Sequence, residues 1–537
     1  MYIVRSIRYC LTVGILCFNV ASSSRFPCNI DSFQSILEDI DSPETAVIYA
    51  TSITQGGSSF DPSPEYPTNA TTLPNLCAVK LNFKSFGESS YNLGIFLPDR
   101  SHWNSRLMAT GNGGFGGGIN YPDMGEYTHY GFATVSTDTG HLSDIEDSSW
   151  ALNHPESIVD WSYRALHGSV WLAKQIVSAY YANAAIKYTY YTGCATGGRQ
   201  GLRLIQLYPH DFDGILVGDA AWQTTHLQSW STWLPLQNYP PESPYYIGQD
   251  LFGSLAAQIT KHCDVQDGIA DSIIQDPANC TKTTACVTET QLLTLQRMFS
   301  PYTINNSVVF PGLSLGSDPS VLALGTNAIG YGYFQDFIYN DTSYNFTSYT
   351  DNDYLTAVRL DPGRATAKDF DISAFRDKGG KIIMYHGYAD GLIPTESSIE
   401  YVKRTMSAMN LPESQLSSFL RLFLIPGMNH CLSSVPTQPD APWYIAAASQ
   451  IAGIVGRLTG VSNLTHSVPG YMDAKHDSVL ALMRWVEEGV APDELIATKF
   501  ANETAPLVQS QRTLCPWPAV ARFVKGDRNL AENWVCS

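Results

Sequence analysis

Short, nearly unbroken apolar runs recur along this chain, separated by stretches with the three-to-four-residue spacing of amphipathic helices. The runs are Val79–Phe83, Tyr91–Leu97, Arg106–Thr110, Phe132–Thr137, Tyr188–Thr192, Gly214–Gly218, Lys381–His386 and Leu420–Ile425. Continuous apolar runs of this length suit strands covered on both faces. Helical spacing fits Ile158–Tyr181, Gly198–Tyr208, Glu396–Met409 and Ser478–Glu488. Strands alternating with helices predict an α/β sheet with helices on both faces.

Between Trp222 and Asp369 the rhythm fails. This stretch is rich in Tyr, Pro, Ser, Asn and Gly and holds three cysteines. Of seven N-x-Ser/Thr sequons (Asn69, Asn279, Asn305, Asn340, Asn345, Asn463, Asn502), four fall inside it, as expected of an exposed region. It reads as an inserted lid over the C-terminal edge of the sheet. The expected organisation is a sheet domain over 25–221 and 370–537 with a lid over 222–369. Ahead of these, 1–24 reads as a secretory signal: Arg5 and Arg8, an apolar run Tyr9–Val20, then small residues Ala21–Ser24. No later run is long and apolar enough to span a membrane.

Charge and cysteine content narrow the setting. The 537 residues carry a formal charge of −18, which argues against nucleic acid and anionic membrane as partners. Of 11 cysteines, Cys10 and Cys17 leave with the signal, so nine enter an oxidising compartment and one is left over. The 11 Trp and 30 Tyr agree with an aromatic-lined pocket, although aromatics are as often core.

The chemistry begins at Gly193-x-Ala195-x-Gly197, which follows Tyr188–Thr192 and opens a helix. A strand, a tight Gly turn and a helix form a nucleophile elbow, G-x-S-x-G. Here a methyl group occupies the position of the attacking hydroxyl. Such a fold needs its acid and base later, in that order. Lys381–Tyr385, then His386-Gly387-Tyr388-Ala389-Asp390, supplies a strand, a turn and a carboxylate; Arg421–Ile425, then Pro426-Gly427-Met428-Asn429-His430-Cys431, supplies the base. Cys194 adjoins the elbow position and Cys431 adjoins His430, so correct placement brings the two thiols together and a disulfide between them would tether elbow to base. Oxyanion donors are expected from the N–H of Thr196 and from the Gly-rich loop Thr110–Gly118, at Gly113 and Gly114. A Gly-rich loop also suits a phosphate, but no G-K-[ST] follows.

These motifs resemble the fungal tannase and feruloyl esterase family, whose elbow reads Cys-Ser-x-Gly-Gly and whose base is followed by Cys. The matching residues are Cys194-Ala195-Thr196-Gly197-Gly198, Tyr385-His386-Gly387-x-x-Asp390, Gly427-Met428-x-His430-Cys431 and Gly113-Gly114-Phe115. The resemblance implies an α/β-hydrolase acting on small esters of phenolic acids, of ferulate or gallate type. It implies disulfides Cys28–Cys77, Cys194–Cys431, Cys263–Cys280 and Cys515–Cys536, with Cys286 as the leftover thiol. It also implies structural Ca2+ held by the side chains of Asp264, Asp267 and Asp271 and the carbonyls of Ile269 and Ile273; spacing alone reads as a solvated acidic loop.

Losing the nucleophile of such a triad costs on the order of 10^6 in turnover, so hydrolysis is expected to be strongly impaired. Thr196 is not expected to replace it, since the residue after the apex offers its N–H while its side chain points elsewhere. Two other readings use the same residues: a non-hydrolytic enzyme acting on a phenolic or polyketide-like substrate with His430–Asp390 as general base, and a pseudoenzyme that only binds its ligand.

Overall fold

A computed structural model describes residues 26–40, 46–54, 62–70, 73–280, 287–324, 328–450, 468–502 and 505–537. The proposed signal and Cys286 lie outside the described residues. The central sheet has nine strands: β1 (Ala46–Ile53), β2 (Leu76–Lys84), β3 (Ser90–Pro98), β4 (Arg106–Thr110), β5 (Ala133–Thr137), β6 (Tyr188–Cys194), β7 (Gly214–Gly218), β8 (Lys381–Gly387) and β9 (Leu420–Ile425). Their order is β1-β2-β3-β5-β4-β6-β7-β8-β9. From β5 to β9 every neighbouring pair is parallel, and β1–β3 continue the sheet in antiparallel fashion. β1 is a strand that the hydrophobic pattern does not flag.

Alternate residues of the inner strands enter two separate cores. Ile215, Val217, Ile382 and Met384 pack with Leu166, Val170 and Ile176 of α1 (Ala165–Tyr180), with Leu202 and Ile205 of α2 (Thr196–Leu207), and with Tyr401 and Val402 of α4 (Glu396–Met409). Leu216, Ile383, Tyr385 and Phe423 pack on the opposite face with Val479, Leu482 and Trp485 of α5 (Ser478–Glu488). Each fully buried aliphatic contributes about 1.5–3 kcal/mol, so both faces demand cover. The continuous apolar runs of these strands follow from that double burial.

The helix expected over Ile158–Tyr181 is interrupted. Asp160–Arg164 form a π turn ahead of α1. Asp160 is fully buried and accepts hydrogen bonds from Ser85 (2.5 Å), Ser89 (2.6 Å) and Arg164 (2.6 Å). Arg199 of α2 donates to the carbonyls of Trp161 and Ser162, so groups freed by the π turn are used by the elbow helix.

The 222–369 segment is largely helical despite its composition. It carries α3 (Thr224–Leu236), further helices at Gln249–Cys263, Glu289–Met298 and Asp351–Leu360, and a hairpin of Tyr302–Ile304 with Ser307–Phe310. Trp230, Leu234, Phe252, Met298 and Phe310 form its core, which also takes in Ile393 from the loop after β8. The C-terminal ends of β4, β6, β7, β8 and β9 lie side by side beneath it. Thr110 pairs with Thr192, Cys194 with Gly218 and Gly387 with Ile425. The strand order reverses at β4, and in open α/β sheets the crevice beyond such a reversal is where ligands bind.

Candidate active site

Ala195 stands at the apex of the turn between β6 and α2 with φ 55° and ψ −114°. A non-glycine residue held there costs about 1–3 kcal/mol, so the surroundings must enforce it. They do so by close approach. A Cβ on Gly193 would lie 2.7 Å from the Gly197 carbonyl carbon, and one on Gly198 would lie 2.7 Å from Gly218 O. The apex is also clasped by the end of β7 and the turn after it: Ala195 N donates to Gly218 O (3.0 Å) and Ala221 N donates to Ala195 O (2.9 Å).

His430 and Asp390 meet as the chain order requires. His430 Nδ1 lies 2.7 Å from Asp390 Oδ2, and Asp390 Oδ1 accepts from the N–H groups of Leu392 (2.8 Å) and Ile393 (3.0 Å). Cys194 and Cys431 are joined by a disulfide across 237 residues, which fixes the elbow beside the base. Disulfides also close Cys28–Cys77, Cys263–Cys280 and Cys515–Cys536.

Two buried neighbours were not foreseen. His386 Nε2 lies 3.2 Å from Asp390 Oδ2, with its Nδ1 2.7 Å from Ser398 Oγ. Asp219, just past β7, is fully buried and accepts from Gly387 N at 3.0 Å. Oxygens of Asp219 and Asp390 and a nitrogen of His430 lie within 4.8 Å of one another. Burial, followed by the charge of Asp390, pushes the Asp219 carboxyl well above its usual range. Burial pushes Asp390 up as well, but the His430 and His386 rings outweigh it and hold that carboxylate below its usual range. The pair therefore divides into one neutral acid and one carboxylate. Asp219 repeats the strand-then-carboxylate signal that marked Asp390, and that signal was present in the sequence.

Ala195, Thr196, Gly113, Gly114 and His430 line one cavity of about 260 Å3. Thr196 Oγ1 donates to Gly114 O (2.9 Å), which ties the elbow to the Gly-rich loop and turns the hydroxyl away from the attacking position. Gly113 corrects the sequence reading. Its N–H donates to Glu65 Oε1 at 2.6 Å and is not available to an oxyanion. Among the described residues the N–H groups of Gly114 and Thr196 have no protein acceptor. Glu65 also accepts from Asn112 Nδ2 (3.2 Å), and burial pushes its carboxyl up to about 8. Nothing in the Pro- and Ser-rich stretch around Glu65 signals this role. Among the described residues, Tyr66 is the one Phe, Tyr or Trp that lines the cavity, and the others mix aliphatic and polar side chains, so the Trp and Tyr content does not build an aromatic pocket there.

The Asp264–Ile273 loop lines a different part of the surface. Asp264 Oδ1 accepts from Asp271 N (2.9 Å) and Ile273 N (3.2 Å), and Asp267 Oδ1 accepts from Ile269 N (3.0 Å). Asp271 pairs with the buried guanidinium of Arg512. Among the described residues the second carboxylate oxygens of Asp264 and Asp267 have no partner. Burial first, then the charges of Asp271 and Asp264, raises the Asp267 carboxyl, a repulsion that a hard cation would relieve.

A mostly parallel sheet with elbow, acid and base after β6, β8 and β9 defines an α/β-hydrolase. Within that class the chain belongs to the tannase and feruloyl esterase family: the model of that family matches residues 83–318 and 320–537. It is 30% identical over 547 aligned residues to a probable feruloyl esterase B-1 of Aspergillus flavus, covering 96% of this chain and 98% of that protein. It is 32% identical over 482 residues to a probable feruloyl esterase B-1 of Aspergillus fumigatus, covering 86% and 85%. The crystal structure of feruloyl esterase B from Aspergillus oryzae superposes with a TM-score of 0.83 at 29% identity, over 95% of this chain and 99% of that one. A tannin acyl hydrolase from Aspergillus niger, 18% identical, shares the fold with a TM-score of 0.73 over 95% and 96%.

Proposed function

We propose that this protein is a secreted member of its family whose cavity takes small esters of phenolic acids, of ferulate or gallate type, and whose hydrolysis is strongly impaired because position 195 lacks the nucleophile. The observation that carries this reading is the retained strained apex at Ala195, bridged through Cys194–Cys431 to a His430–Asp390 pair at 2.7 Å. A pure ligand-binding role has no use for a strained alanine beside an oriented imidazole. The missing hydroxyl is worth roughly 10^6 in turnover, or about 8 kcal/mol of barrier. The Thr196 hydroxyl, committed to Gly114 O, offers no substitute. Secretion is supported by the signal-like N-terminus, the sequons and four disulfides.

The test is hydrolysis of methyl ferulate, methyl gallate and a p-nitrophenyl ester by this chain and by Ala195→Ser. The reading expects a gain on the order of 10^4–10^6 in kcat for the variant. A variant that stays inactive while the unaltered chain converts a phenolic substrate without releasing an acid would favour general-base chemistry at His430 instead. A fast unaltered chain disabled by His430→Ala would refute the treatment of Ala195.

Calcium belongs to the same proposal. Asp264 and Asp267 would hold it with the carbonyls of Ile269 and Ile273, while Asp271 is shared with Arg512. The ion would neutralise the loop's crowded carboxylates and brace the lid, with no part in the ester chemistry. Added Ca2+ should raise Tm after treatment with a chelator; an unchanged Tm rejects the site.

A further inference from the structure

One wall of the cavity is the face of α3 that carries Leu227, Gln228 and Ser231. Gln228 is 7% exposed, and its Oε1 has no hydrogen-bond partner. On the same helix Thr224 Oγ1 and Trp230 Nε1 are also buried without a partner, but neither lines the cavity, and the hydroxyls of Ser229 and Thr232 are satisfied within the helix. Ser229 Oγ donates to Thr225 O (2.8 Å), and Thr232 Oγ1 donates to Gln228 O (2.9 Å). Among the described residues, Gln228 is the one cavity-lining residue that has a buried, unpartnered side-chain oxygen or nitrogen. A desolvated amide oxygen left unpaired costs about 1–3 kcal/mol, a cost that a bound molecule removes by donating a hydrogen bond.

The surroundings restrict what that molecule is. Leu227, Leu322 and Ile393 are each nearly fully buried and line the same cavity, which suits a flat, apolar body with a polar edge. An amide presents one acceptor and one donor side by side. A phenol ring with a free hydroxyl and a neighbouring ring oxygen matches that pair once the side chain turns its buried Oε1 toward the cavity: the hydroxyl then donates to Oε1, and Nε2 donates to the second oxygen.

We infer that Gln228 is the specificity-determining residue of this site, reading a free hydroxyl on the ring of a phenolic acyl group that lies between Leu227, Leu322 and Ile393. The inference rests on the proposed function and gives its cavity an orientation, with the ring against the lid helix and the ester toward Ala195 and His430.

Slow turnover allows an equilibrium measurement. Calorimetric titration compares methyl ferulate with methyl 3,4-dimethoxycinnamate, in which the ring hydroxyl is capped. The unaltered chain should prefer methyl ferulate about tenfold or more, and Gln228→Leu should reduce the preference to within about twofold. Because the free amide is unpaired, Gln228→Leu should also leave the Tm of the unliganded protein unchanged or raised. Gln228→Met repeats both readouts with an unbranched side chain. A preference that survives both substitutions overturns the assignment of Gln228 while leaving the phenolic-ester reading standing. A Tm lowered by several degrees in both variants means a structural role and also overturns it. If neither ester binds, the proposed function falls and the inference falls with it.

Discussion

The Nδ1 atom of His430 lies 2.7 Å from Asp390 Oδ2, in a protein whose residue 195 has no hydroxyl for that imidazole to deprotonate. The hydrogen bond is kept short by backbone: Leu392 and Ile393 hold the other carboxylate oxygen, and the disulfide from Cys431 holds the loop that carries the ring. Under the proposed function, an oriented base beside a strained apex is an acyl-transfer site with one atom removed.

Asp219 is the buried carboxyl that stands beside this pair. Burial and the charge of Asp390 push its carboxyl well above the usual range, it accepts from Gly387 N, and it has an oxygen within 4.8 Å of Asp390 and His430. In the Ala195→Ser background, Asp219→Asn should keep kcat within a few-fold, because an amide repeats the acceptor and donor of a neutral carboxyl. Asp219→Ala leaves a buried N–H unpaired and should lower kcat about tenfold or more with little change in KM. Equal losses in the two variants would show that the charge of Asp219, not its neutral form, is what matters.

The disulfide between Cys194 and Cys431 closes a span of 237 residues. Replacing both cysteines with serine should cost about 2–5 kcal/mol of stability, read as a shift in denaturant midpoint. In the Ala195→Ser background the same change should lower kcat more than tenfold while KM moves little, since the imidazole is then no longer tied to the elbow. An unchanged kcat would mean that packing alone sets the geometry.

Much of the site was legible because its chemistry is ordered along the chain. Strands β6, β8 and β9 are largely apolar runs, and a candidate site residue follows each at a turn, so pattern and motif coincide at Ala195, Asp390 and His430. The residues that escaped act through space. Glu65 and Gly113 are 48 positions apart, and their hydrogen bond has no sequence signature. The π turn at Asp160–Arg164 depends on serines 71 and 75 positions away. The helices of residues 222–369 were hidden by a composition that resembles loops, because their stability comes from the shared core around Trp230 and Phe310 rather than from local propensity.

Glu65 gives the fold a pH signature. Its carboxyl is ordinary in the unfolded chain, near 4.5, and is pushed up to about 8 by burial. The folded state therefore binds the extra proton between those values, and the stabilisation present below about 4.5 is lost as the pH rises through about 8. Glu65→Gln removes this dependence. The Tm of the unaltered chain, measured relative to Glu65→Gln, should fall as the pH is raised across that window. A difference that does not vary with pH would show that Glu65 is already ionised and that the Gly113 and Asn112 donors outweigh its burial.

The most direct measurement is the intact mass of Ala195→Ser after exposure to a serine-reactive aryl fluorophosphonate. With the rest of the machinery in place, the variant should gain one phosphonyl group at position 195 within minutes. The unaltered chain should gain none, and Ala195→Ser combined with His430→Ala should react far more slowly. A folded Ala195→Ser protein that stays unlabelled, or labels equally fast without His430, would contradict the claim that one missing oxygen separates this site from a working esterase.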